Sequence, residues 1–468
     1  MPINSKNLAR RLAGLFRQAP VLWTTVFLLT TRMPFMLLYY PGCFAFPDTE
    51  SCINHYYGLQ DTISRLCGSD CARPLDNHHP IIYTFLYGWT IDLGNLIGSQ
   101  NVAVFLFLLL QATLHSWLLA QIIVWARRHG APRWLLPCYM LFPVFGMWST
   151  LFLKDSFFSL CTSALTLCLL HWGEKLEEGT GQRTSLPLAI ATFCSLCFFK
   201  LSKNQCVYIA VLLLIALPWL YGRKCRRLAT VTAASIAVFS IFSINLPRMG
   251  VAQSGRQETI GTMLQQTACY ARCHPKEISA EERAAIDAVI PFDSLAVCYR
   301  AEIQDPVKYR YRRLCSGKER ARYYKVWAKM GLRHPECYAK AVWGCCSAYF
   351  YPSGKYPLFY PAHQWEGTYP ELFRLEPLLE KVPCGMAQII KIPIVGWPFD
   401  MGFLMPCFVL VMFYLMWRRQ RIAVLALFPC LVSVAVLVIS PANGIFRYVM
   451  PIVWHIPLAL AFAMSKRR

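Results

Sequence analysis

The residues best placed for chemistry are charged ones that interrupt apolar sequence. Asp48 shortly follows the first apolar run, in Tyr39-Tyr40-Pro41-Gly42-Cys43-Phe44-Ala45-Phe46-Pro47-Asp48-Thr49. Proline and glycine stop a helix there, so the carboxylate is expected at a membrane surface among aromatic rings. Such surroundings raise a carboxyl pKa and suit it to take a proton. The plainer role is an N-cap, with Asp48 opening a short helix from Thr49. Asn77-His78-His79-Pro80 places two imidazoles ahead of another apolar run. They suit a phosphate, a metal or an acceptor, or else form only a cap and a proline-initiated helix. Lys154-Asp155, Lys200-Leu201-Ser202-Lys203-Asn204-Gln205 and Asn443-Gly444-Ile445-Phe446-Arg447-Tyr448 sit at the ends of further apolar runs. Charges at such ends snorkel or pair with each other, unless together they grip an anion.

The elements that must position these residues are membrane helices. Of 468 residues, 56% are hydrophobic, 14% aromatic and only 15% charged, and the mean hydropathy is positive. Apolar runs long enough to cross a ~30 Å hydrocarbon core recur along the chain. They lie near 20–40, 101–126, 133–150, 156–172, 186–201, 205–221, 228–246, 398–417, 421–440 and 445–464, which predicts an all-α polytopic membrane protein of about ten transmembrane helices. The first run is long for a signal peptide and is expected to remain as an anchor.

The formal charge of +22 does not point to nucleic acid, because no such motif occurs. Much of it lies in short clusters between apolar runs: Arg10/Arg11/Arg17, Arg127/Arg128/Arg133, Arg223/Lys224/Arg226/Arg227, Arg418/Arg419/Arg421 and Lys466/Arg467/Arg468. Clusters of this kind mark cytoplasmic loops and contact anionic membrane lipids. All five fall inside if the run 80–97 lies along the outer face as a juxtamembrane helix rather than crossing. The expected location is therefore the cell membrane, multi-pass, with both termini cytoplasmic. An N-terminal transmembrane module then spans 1–246, with a first outer loop at 41–100. Residues 247–395 form an extracytoplasmic, mostly helical loop domain, and 396–468 the C-terminal transmembrane helices. In the large loop Ser279 with Glu282 fits a capping box. Lys318–Leu332 and Glu336–Phe350 read as two helices split by His334-Pro335, followed by an irregular stretch with Pro352, Pro357, Pro361 and Pro370.

Of 21 cysteines, Cys43, Cys52, Cys67 and Cys71 fall in the first outer loop. Cys269, Cys273, Cys298, Cys315, Cys337, Cys345, Cys346 and Cys384 fall in the second. Even numbers in exported loops suggest disulfides, with free buried thiols as the alternative. The absence of a paired Cys-x2-Cys set weakens a zinc reading.

With the orientation fixed by the basic clusters alone, Asp48, His78, His79, Lys154, Asp155, Lys200, Lys203 and Arg447 all fall on the outer side at similar depth. Cations there run against the usual bias. Ringed around a carboxylate, they suit a membrane-held anion such as a polyprenyl-phosphate head group. The order Tyr39–Gly42, Asn77–Pro80, Lys154-Asp155, Lys203-Asn204, Trp327 to Tyr338 and Phe446–Tyr448 resembles the GT-C superfamily of polytopic glycosyltransferases, in a bacterial branch of uncharacterised membrane proteins. The resemblance implies a transferase moving a hexosyl or pentosyl unit from a polyprenyl-phosphate-linked donor to an extracytoplasmic glycan, lipid or protein of the cell envelope. By it Asp48 would be the general base, with Glu50 as second candidate because the acidic pair common in this loop is here split by Thr49. His78, His79, Lys154, Asp155, Lys200, Lys203, Asn204, Arg447 and Tyr448 would bind substrate. No cofactor is assigned, and a divalent cation is left open.

Two other functions use the same plan. An O-antigen polymerase or ligase would need Arg272, Arg333 or His334 in the late loop instead of Asp48. A flippase or transporter of polyprenyl-linked lipid would need polar residues at mid-membrane. Gln111, His115 and Gln121 are the notable ones, and they read as helix contacts.

Overall fold

A computed structural model describes residues 18–44, 48–59, 75–253, 255–312, 314–359, 372–373, 375–376 and 385–465. The first and last basic clusters, Cys67, Cys71, Cys384, Pro361 and Pro370 lie outside the described residues. The described chain is mostly helical, with two two-residue strands. Its elements run α1 (Pro20–Leu38), β1 (Cys43–Phe44), α2 (Asp48–Tyr56), α3 (Ile81–Ile97), α4 (Gln100–Arg128), α5 (Leu135–Leu141), α6 (Pro143–Trp148), β2 (Leu151–Phe152) and α7 (Lys154–Glu177). There follow α8 (Leu186–Ser202), α9 (Cys206–Tyr221), α10 (Arg226–Asn245), α11 (Gln257–Cys273), α12 (Ala280–Asp287), α13 (Phe292–Cys298) and α14 (Asp305–Lys308). The remainder is α15 (Gly317–Arg333), α16 (Pro335–Phe350), α17 (Met386–Ile389), α18 (Met401–Trp417), α19 (Arg421–Leu437), α20 (Met450–Val453) and α21 (Ile456–Met464).

Four described segments are long and apolar enough to cross a membrane: Pro20–Leu38, Gln100–Arg128, Lys154–Glu177 and Cys206–Met249. Leu186–Ser202, Met401–Trp417, Arg421–Leu437 and Met450–Met464 are shorter apolar helices. The described chain is thus all-α, with four helices long and apolar enough to cross a membrane rather than the expected ten. Proline accounts for part of the difference. The run 133–150 is broken at Phe142, whose extended backbone (ψ 108°) precedes Pro143. Proline disfavours the helical conformation in the residue before it and clashes with the preceding turn. The run 445–464 breaks likewise, into a 3₁₀ turn at Phe446–Tyr448, then α20 and α21 with Pro451 and Pro457 in their first turns.

The largest apolar core surrounds α7, which packs against α4, α8, α19 and α20. Residues 260–341 close on a separate core that includes Leu264, Tyr270, Ile286, Val289, Tyr323 and Met330. Two of its helices, α12 and α15, begin at capping boxes, Ser279 with Glu282 and Ser316 with Glu319. Each pair satisfies two otherwise unpaired backbone donors. The described cysteines are all free thiols, including the outer-loop ones expected in disulfides. Most are buried and behave as small apolar side chains.

Gly444 opens the segment that carries Arg447. It lies at φ +67°, and a β-carbon there would collide with the Tyr356 ring. Gly250 has a comparable φ of +79° with open space around it. Gly444→Ala is therefore expected to destabilise the protein by about 1–3 kcal/mol and more than Gly250→Ala. Melting temperatures in detergent would show this, and equal losses would contradict the steric account.

Candidate functional site

Two short contacts bring the N-terminal loop against the start of α7. The strands β1 and β2 pair in parallel, Cys43 with Leu151 and Phe44 with Phe152. The Cys43 amide donates to the Thr150 carbonyl at 2.7 Å. Thr49 Oγ1 donates to the Phe152 carbonyl at 2.7 Å, so α2 is held one turn from the Lys154 end of α7. The Tyr83 hydroxyl on α3 lies 3.1 Å from the Lys154 carbonyl and 2.8 Å from the Ser202 carbonyl, tying three helix ends together. Around them Phe44, Tyr83, Tyr87, Phe107, Phe152 and Phe157 stack edge to face. These rings exclude water from beneath the site.

Asp48 is buried, and one of its oxygens serves two cations. Oδ2 lies 2.6 Å from Lys154 Nζ and 2.7 Å from Arg447 Nη1. Lys154 Nζ also donates to His79 Nδ1 at 2.6 Å. His79 is therefore a neutral imidazole carrying its proton on Nε2, and that buried nitrogen has no partner. Alongside, Asp155 Oδ1 pairs with Lys203 Nζ at 2.6 Å. Its buried Oδ2 has no hydrogen bond. The Lys203 ammonium sits over the Tyr448 ring at 4.8 Å. Three cations face two carboxylates here, leaving one positive charge in excess.

Burial acts to raise the Asp48 pKa, but the charges of Arg447 and Lys154 outweigh it and hold the carboxyl well below its usual range. This corrects the expected raised pKa: cations, not lipid and aromatics, dominate its surroundings. Burial, reinforced by Lys154, pushes the His79 imidazole well down. For Arg447, burial is overcome by the charge of Asp48, which raises its pKa.

The other expected residues are less central. His78 turns toward Glu258, 4.0 Å from its Nδ1. Asn204 Nδ2 donates to the Asn77 carbonyl at 3.0 Å. The Asn77 side chain accepts from the Ile81 amide at 3.0 Å at the start of α3, whose N-cap position is Pro80. Glu50 is buried two residues beyond Asp48 on α2 and lies 3.4 Å from Asn54 Nδ2. Lys200 does not join the ring of cations. Its ammonium lies 5.8 Å from the Phe239 ring of α10. The net positive cluster, with its carboxylates ion-paired, does not fit a divalent cation, which needs several free oxygen ligands.

One buried residue escapes the sequence reading. Arg32, on α1, is 1% exposed and donates to the Ala112 carbonyl and Ser116 Oγ. It lies over the Trp454 ring at 5.1 Å. A lone arginine inside an apolar run of helical length is its signal.

No curated protein and no solved structure matches the chain. A family model does match, over residues 70–468. Asp48 and Glu50 precede the matched stretch, whereas His78, His79, Lys154, Asp155, Lys203, Asn204, Arg447 and Tyr448 lie within it. The match covers most of the chain, which therefore belongs to DUF6020, a family of unknown function.

Proposed function

We propose that the chain is a membrane glycosyltransferase that moves a sugar from a polyprenyl-phosphate carrier to a hydroxyl on an extracytoplasmic acceptor. The observation that carries this reading is the sharing of Asp48 Oδ2 by Lys154 and Arg447. A carboxylate and an excess of cations, buried at the ends of apolar helices, suit a phosphate anchored in lipid. In this topology Asp48 and Arg447 face outward and the basic clusters stay cytoplasmic.

In the transfer the bond between the sugar's anomeric carbon and the phosphate oxygen breaks. The acceptor oxygen forms the new bond, and its proton passes to Asp48. The departing phosphate keeps the electron pair, and Lys154 and Arg447 neutralise it. Ion-paired Asp48 is a weak base. The donor phosphate competes for the same two cations, and their transfer to it leaves burial to raise the Asp48 pKa. The base is thereby armed by the substrate whose departure it assists.

One observation favours a second reading. Arg32, buried against α4 beside the His115–Trp454 ring contact, supplies the mid-helix polar group a lipid flippase requires. Counter-flow in proteoliposomes separates the two. Arg333 and His334, which a polymerase or ligase would need, are engaged with Glu282, Glu277 and Glu336 instead.

Asp48→Asn is expected to lower transfer by at least ~10²-fold while the protein remains folded in the membrane. Radiolabelled transfer from polyprenyl-phosphate sugars, or mass spectrometry of surface glycans, would measure it. Full activity would remove Asp48 from the mechanism.

The pH dependence follows from the lowered Asp48 pKa. In the free enzyme the carboxylate stays ionised as pH falls through its usual range, so kcat/KM should show no acid limb there. At saturating donor the released carboxylate titrates higher, and kcat should fall on the acid side first. Pre-steady-state and steady-state pH profiles test this, and coincident acid limbs would refute the exchange of cations.

A further inference from the structure

The motif His334-Pro335-Glu336-Cys337 lies at the elbow between α15 and α16. Folding brings it against the C-terminal end of α11, Cys273-His274-Pro275-Lys276-Glu277. Neither segment takes part in the site at Asp48. The Glu277 carboxylate straddles two imidazoles, with Oε1 3.1 Å from His274 Nδ1 and Oε2 2.8 Å from His334 Nε2. Glu336 Oε1 lies 2.7 Å from the other nitrogen of His334. The two rings stack face to face, 3.8 Å apart and 14° from parallel. Ligand atoms of His274, Glu277 and His334 all lie within 4.8 Å of one another, as do those of His274, Glu336 and Cys337.

The supports of this cluster are rigid. Tyr270 packs against both imidazoles at 5.5 Å. Arg333 donates to the Glu277 carbonyl at 2.9 Å and pairs with Glu282 at 2.7 Å, which fixes the turn that presents the carboxylate. Outer contacts of this kind orient metal ligands. The Cys337 thiol neighbours that of Cys273. Both histidine side chains are about a quarter exposed, 27% and 22%, so an ion can reach them from solvent.

We propose that this elbow binds one zinc ion through His274, Glu277 and His334, with the fourth position open to water. Two imidazoles, a carboxylate and a water form a tetrahedral set suited to a borderline ion. Calcium and magnesium prefer oxygen donors alone. The ion would lock the end of α11 to the α15–α16 elbow and so stiffen the unit built on residues 260–341. The assignment does not depend on the transferase reading.

The test uses the full chain purified in detergent without metal, then given zinc alone. About one zinc per chain is expected by elemental analysis, with a rise in melting temperature of about 5 °C. Cobalt in its place should give tetrahedral visible bands without a thiolate charge-transfer band, and Cys337→Ser should leave them unchanged. His274→Ala/His334→Ala should lose both the metal and the thermal shift, whereas Asp48→Asn should keep them. Wild-type protein that takes up no zinc, or a double variant that still binds it, would overturn the proposal. The wild-type measurement decides even if the double variant fails to fold.

Discussion

An ion taken out of water loses several kcal/mol of hydration even after the surroundings relax. Asp48 is buried, Lys154 and Arg447 are largely withdrawn from water beside it, and each is stabilised there by the others. The three come from α2, the start of α7 and the turn before α20, so no single helix can form the site. Their mutual attraction selects the arrangement in which these ends meet.

The polar backbone near the site is organised around the same point. The β1–β2 pairing, the Thr49 hydroxyl and the Tyr83 hydroxyl all satisfy carbonyls or amides where helices stop. Helix ends expose unpaired backbone groups, and an apolar setting makes each of them expensive. The chain meets this need with contacts between ends, which also set Lys154 and Asp155 facing opposite carboxylate and ammonium partners. Asp155 and Lys203 form a second pair beside the first, and the Tyr448 ring covers Lys203.

Most helix limits were legible because apolar runs end at charged clusters or prolines. Observed α4, α7 and α8 agree with the runs 101–126, 156–172 and 186–201 to within a few residues. Both capping boxes are local, and one of them was readable from Ser279 and Glu282. The breaks at Pro143 and around His455 were not, since hydropathy is blind to backbone conformation. The Asp48 pKa was misjudged because its sign depends on cations remote in sequence. Lys200 and Lys203 share a spacing that would place them on one helical face. Lys203, however, has extended backbone (φ −159°, ψ 133°) and lies beyond the last turn, so the two diverge. His78 and His79 part in the same way, one toward Glu258 and the other toward Lys154. Side-chain direction at helix ends is set by the turn that follows, and the turn is set by tertiary contacts.

The wide separation of Asp48 and Arg447 along the chain bears on biogenesis. During insertion the N-terminal loop and α7 are made early, and their strand pair can form as soon as Phe152 has emerged. Asp48 then holds a single ammonium until Arg447 has been made. Arg447 arrives long after Lys154 and completes the charge balance. A nascent chain is thus denied its full complement of counter-charges until α19 has been synthesised, which couples maturation of the pocket to assembly of the helices around it.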